Sequence, residues 1–146
     1  MNELKFIKKT LVNGTLYNIT NPVVIQTPRV EIKSINDSFD EFVLQLLPTL
    51  ASQNFFSKIH EFEETLKQLF PKHSVVPIFD RDTFKIKNTN KNFKVYFANR
   101  LFNMYDLRPG DCIIALVSIN VLWENIYQTI SYSLHVDEIL LVTKKA

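Results

Sequence analysis

Lysines and tyrosines at alternate positions mark the most basic stretch of the chain, Arg81 to Asp111, which reads RDTFKIKNTNKNFKVYFANRLFNMYDLRPGD. Within it Arg81, Lys85, Lys87, Lys91, Lys94, Arg100 and Arg108 face only Asp82 and Asp106 before the closing turn. Phe84 and Ile86 alternate with Lys85 and Lys87, and Phe93, Val95 and Phe97 alternate with Lys94 and Tyr96. Successive side chains of a strand point to opposite faces. Two short strands joined at Asn88-Thr89-Asn90 would therefore bury a Phe/Ile/Val row and display a Lys/Tyr row. A cationic face carrying an aromatic ring suits a phosphate backbone with unstacked bases. The same pattern also fits the solvated outer face of a β-hairpin, where lysine is ordinary.

Other constellations are weaker. Asp80 and Asp82 straddle Arg81 and could hold Mg²⁺ with a third carboxylate, but a turn with a local ion pair is the simpler reading. His60, His73 and His135 are scattered, without a second ligand at metal spacing. Gly14 and Gly110 are the only glycines, so no glycine-rich phosphate loop exists. Ser118 and Ser133 lie within strand patterns, with no nearby histidine and acid in sequence. No catalytic role and no cofactor is expected. Trp123, the sole tryptophan, reads as a core plug or as a stacking platform.

The bulk properties set limits. A chain of 146 residues fits one domain and can bury a core without staples. A net charge of +2 does not by itself argue for nucleic acid; only its concentration in one stretch does. Cys112 is the single cysteine, which excludes an internal disulfide; inside CIIALV it reads as a small core residue in a reducing, intracellular setting. MNELKFIKKT carries no secretory pattern, and the run Ile113–Val117 is too short to span a bilayer.

The elements that must position the basic stretch follow from periodicity. Leu11 to Ile19 reads as a strand or a tight hairpin about Asn13-Gly14. Val23 to Ile25, Val30 to Ile32 and Phe39 to Leu47 read as strands, with Pro28 marking an edge or bulge. Phe55, Ile59, Phe62, Leu66 and Leu69 recur at helical spacing, with Asn54 or Ser52 as cap, Pro71 as stop, and Lys58, Glu61, Glu63, Glu64 and Lys67 on the other faces. Asp111–Leu122 and Tyr127–Val142 read as long β segments. About seven strands and one amphipathic helix predict a mainly β, mainly antiparallel, closed or nearly closed OB-like barrel.

Two runs carry a family resemblance. Asn21 to Ile32, NPVVIQTPRVEI, looks like the "iQTP" strand of a family of small proteins from large DNA viruses. LRPGDCIIALVSINVLWENIYQTISYSLHVDEILLV resembles that family's ending, with a Gly-Asp turn, a hydrophobic strand reaching a tryptophan and a last strand of the "v.qil" type. Between them stand the Asp40–Leu46 strand, the helix and the FKIK strand Phe84–Lys87, in matching order over about residues 5 to 143. The stretch after Thr27-Pro28 departs from the pattern by lacking a Pro-Phe-Gly segment. The family is similar to OB-fold single-stranded DNA-binding proteins, so the resemblance implies that fold and that ligand.

The combined expectation is a non-catalytic binder of single strands, DNA or RNA, indifferent to sequence, in viral replication or repair. Lys85, Lys87, Lys94, Arg100 and Arg108 would hold phosphates, and Tyr96 and Tyr105 would stack on bases. The competing expectation is an adaptor that docks a protein through the β-face or the acidic flank Glu61/Glu63/Glu64. An edge strand near Pro28 would also permit homo-oligomers by strand pairing.

Overall fold

The computed structural model describes residues 4–89 and 93–145. β1 (Phe6–Leu11) and β2 (Gly14–Gln26) form a hairpin about Val12 and Asn13, in line with the Asn13-Gly14 signal. Gly14 is required there: its φ is +156°, and an added Cβ would lie 2.1 Å from the Glu124 carbonyl oxygen. β2 pairs with β9 (Cys112–Asn125), and the register shifts between Asn18 and Val23, where Pro22 cannot donate to the ladder. Pro28 stands at the junction where β2 leaves β9 and β3 (Val30–Ile35) joins it, Val30 opposite Ile113. The hydrogen-bonded path ends at β1 and at β8 (Arg100–Phe102).

Five strands close on themselves. β3 pairs with β4 (Glu41–Leu46), and β4 with β6 (Thr83–Lys87). β6 then runs parallel to β11 (Leu134–Thr143), and β11 returns antiparallel to β9, which already holds β3. This ring is a five-stranded Greek-key closure of the OB type, mainly β with a single α-helix as the sequence predicts. Its interior is apolar: Ile32, Phe42, Leu44, Ile86, Ile113, Val117 and Leu134 are fully buried.

The helix α1 (Leu50–Leu69) buries Phe55, Ile59, Phe62 and Leu66, the predicted stripe, while Leu69 is left exposed. Phe55 meets Phe84 at 5.3 Å and Phe62 meets Tyr132 edge-on at 5.1 Å. Phe84 points into the ring, so the helix covers an open end of it. Its cap is Thr49, whose hydroxyl accepts the Ser52 N–H at 3.1 Å; the helix begins a turn earlier than Asn54 or Ser52 would have it. Glu63 is a second departure. It is buried at 8% exposure, accepting the Tyr132 hydroxyl at 2.5 Å and the Ile78 N–H at 2.7 Å through Oε2. It is no part of a solvated acidic flank. Burial, then the hydrogen bond to Glu63, raises the Tyr132 phenol far above its ordinary range.

Eleven strands are present among the described residues, not about seven: β7 (Lys94–Phe97) is one the sequence predicts, while β1, β5 (Ser74–Val75), β8 and β10 (Thr129–Tyr132) are the additions. The largest correction concerns β6 and β7. They do not form a hairpin: both lie parallel to β11, β6 beside Leu134–His135 and β7 beside Glu138–Leu140. β11, ten residues long, is long enough to seat both strands one after the other on the same flank. Asn88 fixes the exit from β6, donating its N–H to the Asp40 carbonyl and its Nδ2 to the Phe39 carbonyl. Asn90 and Lys91 fall outside the described residues. Cys112 is half-buried on the outer side of β9 rather than in the core.

Candidate nucleic-acid interface

Alternation along β6 turns Phe84 and Ile86 inward and Thr83, Lys85 and Lys87 outward. On β4, Glu41, Val43 and Gln45 stand opposite Lys87, Lys85 and Thr83 on the same outer face. Lys85 Nζ lies 3.6 Å from Glu41 Oε1, a pair open enough to water to hold the ammonium only weakly. The Lys87 ammonium has no hydrogen bond or ion pair among the described residues. Beside it on β11, His135 Nδ1 is 3.2 Å from the Thr89 hydroxyl. Burial, then the Lys87 charge, lowers the His135 pKa against the opposing pull of Asp137, so the imidazole is neutral at pH 7.

A groove follows this face. One hollow of about 470 Å³ is bounded by Val43, Lys85 and Lys87 on the sheet, by Pro77 and Ile78 on the strap after β5, and by Ser133. Another of about 430 Å³ is lined by Asn36, Asp40, Glu41, Lys87, Asn88 and Thr89. The two share Glu41 and Lys87, so the lysine stands between adjoining hollows that together form a channel along this face. Its walls are built. The strap is held by Glu63 at Ile78 and by the Val76 N–H on the Ile130 carbonyl, and Asn36 Oδ1 accepts the N–H groups of Asp40 and Glu41.

The other expected site residues divide. Lys94 and Tyr96 lie on the outer side of β7, in line with Lys87 along β11, with Lys94 opposite Glu138. Tyr105, in the 3-10 turn Met104–Asp106, is half-exposed and packs edge-on against Phe39 at 5.1 Å, beside the Asn36–Asp40 loop. Arg100 is the partner of Phe97 on β8 and shares its face, opposite to that of Lys94 and Tyr96. Arg108 Nη1 donates to the Tyr105 and Leu107 carbonyls at 2.6 and 2.9 Å, which ties the guanidinium to its own loop.

Trp123, read from the sequence as a core plug or a stacking platform, finds its place here, and two further features escaped sequence reasoning. Trp123 is half-buried on the outer side of β9, between Leu16 and Ser131, with its ring over Gly14. Tyr127 is 81% exposed at the tip of the β9–β10 turn, beside exposed Ile126. Its backbone N–H is held by Asn125 Oδ1, and a lone tyrosine in NIYQT gives no sequence signal for this. His73, far from any acid in sequence, meets Glu124 at 2.6 Å, and Tyr17 donates to the same carboxylate at 2.8 Å. Burial and this hydrogen bond push the Tyr17 pKa up to about 12, and the two bonds from His73 and Tyr17 lower that of Glu124. This cluster braces the segment after α1 against β2 and β9. Among the described residues no group of acids, histidines or cysteines is arranged to hold a metal ion, and no helix is long and apolar enough to cross a membrane.

No protein-family model matches the chain, and no curated protein matches it significantly in sequence. Solved structures do match in fold. The single-stranded DNA-binding protein gp2.5 of bacteriophage T7 superposes with a TM-score of 0.62 at 13% identity, over 86% of this chain and 89% of that one. The C-terminally truncated single-stranded DNA-binding protein of bacteriophage Enc34 gives 0.59 at 12% identity, over 100% and 98%. The untruncated Enc34 protein gives 0.58 at 11%, over 99% and 92%. These structures are of phage origin, whereas the sequence resemblance was to proteins of large DNA viruses. At such identities the likeness is one of architecture, and it spans nearly the whole of each chain.

Proposed function

We propose that this protein binds single-stranded DNA, without sequence preference and without catalysis, in the service of viral DNA replication or repair. The observation that carries the reading is Lys87, unpaired among the described residues at the centre of a channel on the β4–β6 face, with Lys85 one step along. Lys94 continues the line of cations along β11, and Tyr96 and Tyr105 offer rings at its margins. Arg100 and Arg108 are not part of the interface, the first by its face and the second by its bonds to backbone carbonyls. The fold likeness to phage proteins that bind single-stranded DNA supports the choice of ligand.

The test is a titration of labelled oligo-dT across a salt series, with oligo-U as the comparison. Each phosphate contact on a single strand contributes roughly −0.7 to the slope of log affinity against log salt, so Lys85→Ala/Lys87→Ala should lose about 1.4 units of slope. Arg108→Ala should leave the slope as it is. An unaltered slope in the double variant removes β6 from the interface.

One observation favours a second reading for part of the surface. Leu101, Tyr96, Leu140 and Ile114 are successive cross-strand partners on the outer side of β8, β7, β11 and β9, and Leu101 is 70% exposed. A row of this kind suits a protein partner. If Tyr96→Ala weakens oligo-dT binding by about 1–3 kcal/mol, the ring serves a base instead.

A further inference from the structure

We infer that the polynucleotide channel continues beyond the Thr83 end of β6 to a further nucleotide seat, in which the base stacks on Phe56 and Arg81 contacts the adjoining phosphate. This rests on the single-strand reading above and extends its path.

Phe56 lies off the buried stripe of its helix. Its neighbours Phe55, Ile59, Phe62 and Leu66 are buried, while Phe56 is 44% exposed. It is nevertheless held. Phe84 inside the ring meets Phe79 at 5.4 Å, and Phe79 meets Phe56 at 4.9 Å with a tilt of 34°. A column of three rings thus runs from the core to the surface and ends in a supported aromatic platform. Such a platform accepts any base, because every base has a π-face.

Arg81 stands beside it in a conformation that a non-glycine residue seldom takes, with φ +60°. Reciprocal backbone bonds between Asp80 and Thr83, at 2.9 and 3.0 Å, close the turn that imposes it. Although Asp80 and Asp82 flank it, Arg81 makes no hydrogen bond or ion pair among the described residues. Its guanidinium is exposed and unspent.

Two hollows meet at these side chains. One, of about 730 Å³, is lined by Gln45, Pro48, Thr49, Phe56, Arg81 and Asp82. The other, of about 370 Å³, is lined by Phe56, His60, Lys67, Pro77, Phe79 and Arg81, together with Glu63. The second shares Pro77 with the hollow over Lys85 and Lys87, and the first lies next to it along the ladder, where Gln45 is the partner of Thr83. Phe56 and Arg81 form the ridge between them. The surrounding charges are mixed, with Asp80, Asp82, Glu61 and Glu64 near Arg81 and Lys67, and Lys67 already bonded to Glu64 at 3.0 Å. In such a seat the ring holds the base without salt dependence and Arg81 holds one phosphate, so only the arginine should add to the salt slope, by roughly −0.7.

The experiment is a length ladder of fluorescein-labelled oligo-dT, from about 4 to 20 nucleotides, against the whole protein and its Phe56→Ala, Phe56→Trp and Arg81→Gln variants. Wild-type affinity should rise with length to a plateau. Phe56→Ala should lower affinity for the long oligomers roughly tenfold, leave the shortest unchanged, and keep the salt slope. Phe56→Trp should retain the plateau, with tryptophan quenching by long oligomers beyond that of the wild type. Arg81→Gln should weaken only the long oligomers. An unchanged length profile in the Phe56 and Arg81 variants overturns the seat, as does an equal loss at every length. A wild type that binds no oligo-dT of any length overturns the single-strand reading itself. If Phe56→Ala fails to fold, the tryptophan quenching and the Arg81→Gln profile decide.

Discussion

Phe62→Ala should lower stability by about 3–5 kcal/mol, the range for removing a fully buried aromatic ring, and its neighbour Glu63→Ala should come close to it. Phe62 has no exposed surface and lies edge-on to Tyr132, so truncation opens a cavity where the helix meets the ring. Glu63→Ala acts through polarity. It strands the Tyr132 hydroxyl and the Ile78 N–H in an apolar setting, at about 1–3 kcal/mol for each group left unpaired. Exposed Glu61 on the same helix is the internal control, and its replacement should barely register in urea melts. Were Glu63→Ala as mild as Glu61→Ala, the strap would not depend on that carboxylate, and the channel wall would be loosely held.

Asp111→Ala should cost about 3 kcal/mol, the lower end for breaking a buried ion pair, because Lys144 keeps a third of its side chain in water. Asp111 is fully buried and accepts from Lys144 Nζ at 2.7 Å and from the N–H groups of Lys145 and Arg108 at 2.9 and 2.8 Å. Burial pushes its carboxyl up, but these three hydrogen bonds together outweigh burial and hold it below the usual aspartate range. The native state therefore binds this proton less readily than the unfolded chain. Its contribution is complete above about pH 4, the unfolded aspartate value, and is lost as the pH falls through the native pKa below it. Thermal melts between about pH 2 and 6 should show this acid limb in the wild type and a shallower one in Asp111→Asn.

What was legible in the sequence was whatever depends on local period. The inward Phe84 and Ile86, the Phe55-to-Leu66 stripe and the Asn13-Gly14 hairpin each follow from neighbours within a few positions. What was not legible depends on partners brought from far along the chain. Glu63 reads as a surface acid until Tyr132 and Ile78 arrive, and His73 reads as isolated until Glu124 lies beside it. The β6–β7 pair imitates a hairpin because both strands alternate correctly. Only the parallel ladder on β11, which leaves no trace in either segment, separates them. For the site, alternation placed Lys85 and Lys87 on an outer face. Alternation alone could not foresee that Arg108 would turn to its own carbonyls, or that Phe56 would surface at the end of an aromatic column.

The position of β11 has a consequence in time. It is bonded to β9 on one flank and to β6 and then β7 on the other, so the ring cannot close without it. Hairpin β1–β2 and the pair β3–β4 join near neighbours and can form early. β6 and β9 must then wait, with open edges, for the strand that is synthesised last among those described. Such non-local pairing places folding in the slow, millisecond-to-second class. During that interval another copy of the chain can offer its own β11 to the waiting edges, so crowded synthesis or rapid refolding at high concentration should yield strand-exchanged aggregates before native protein.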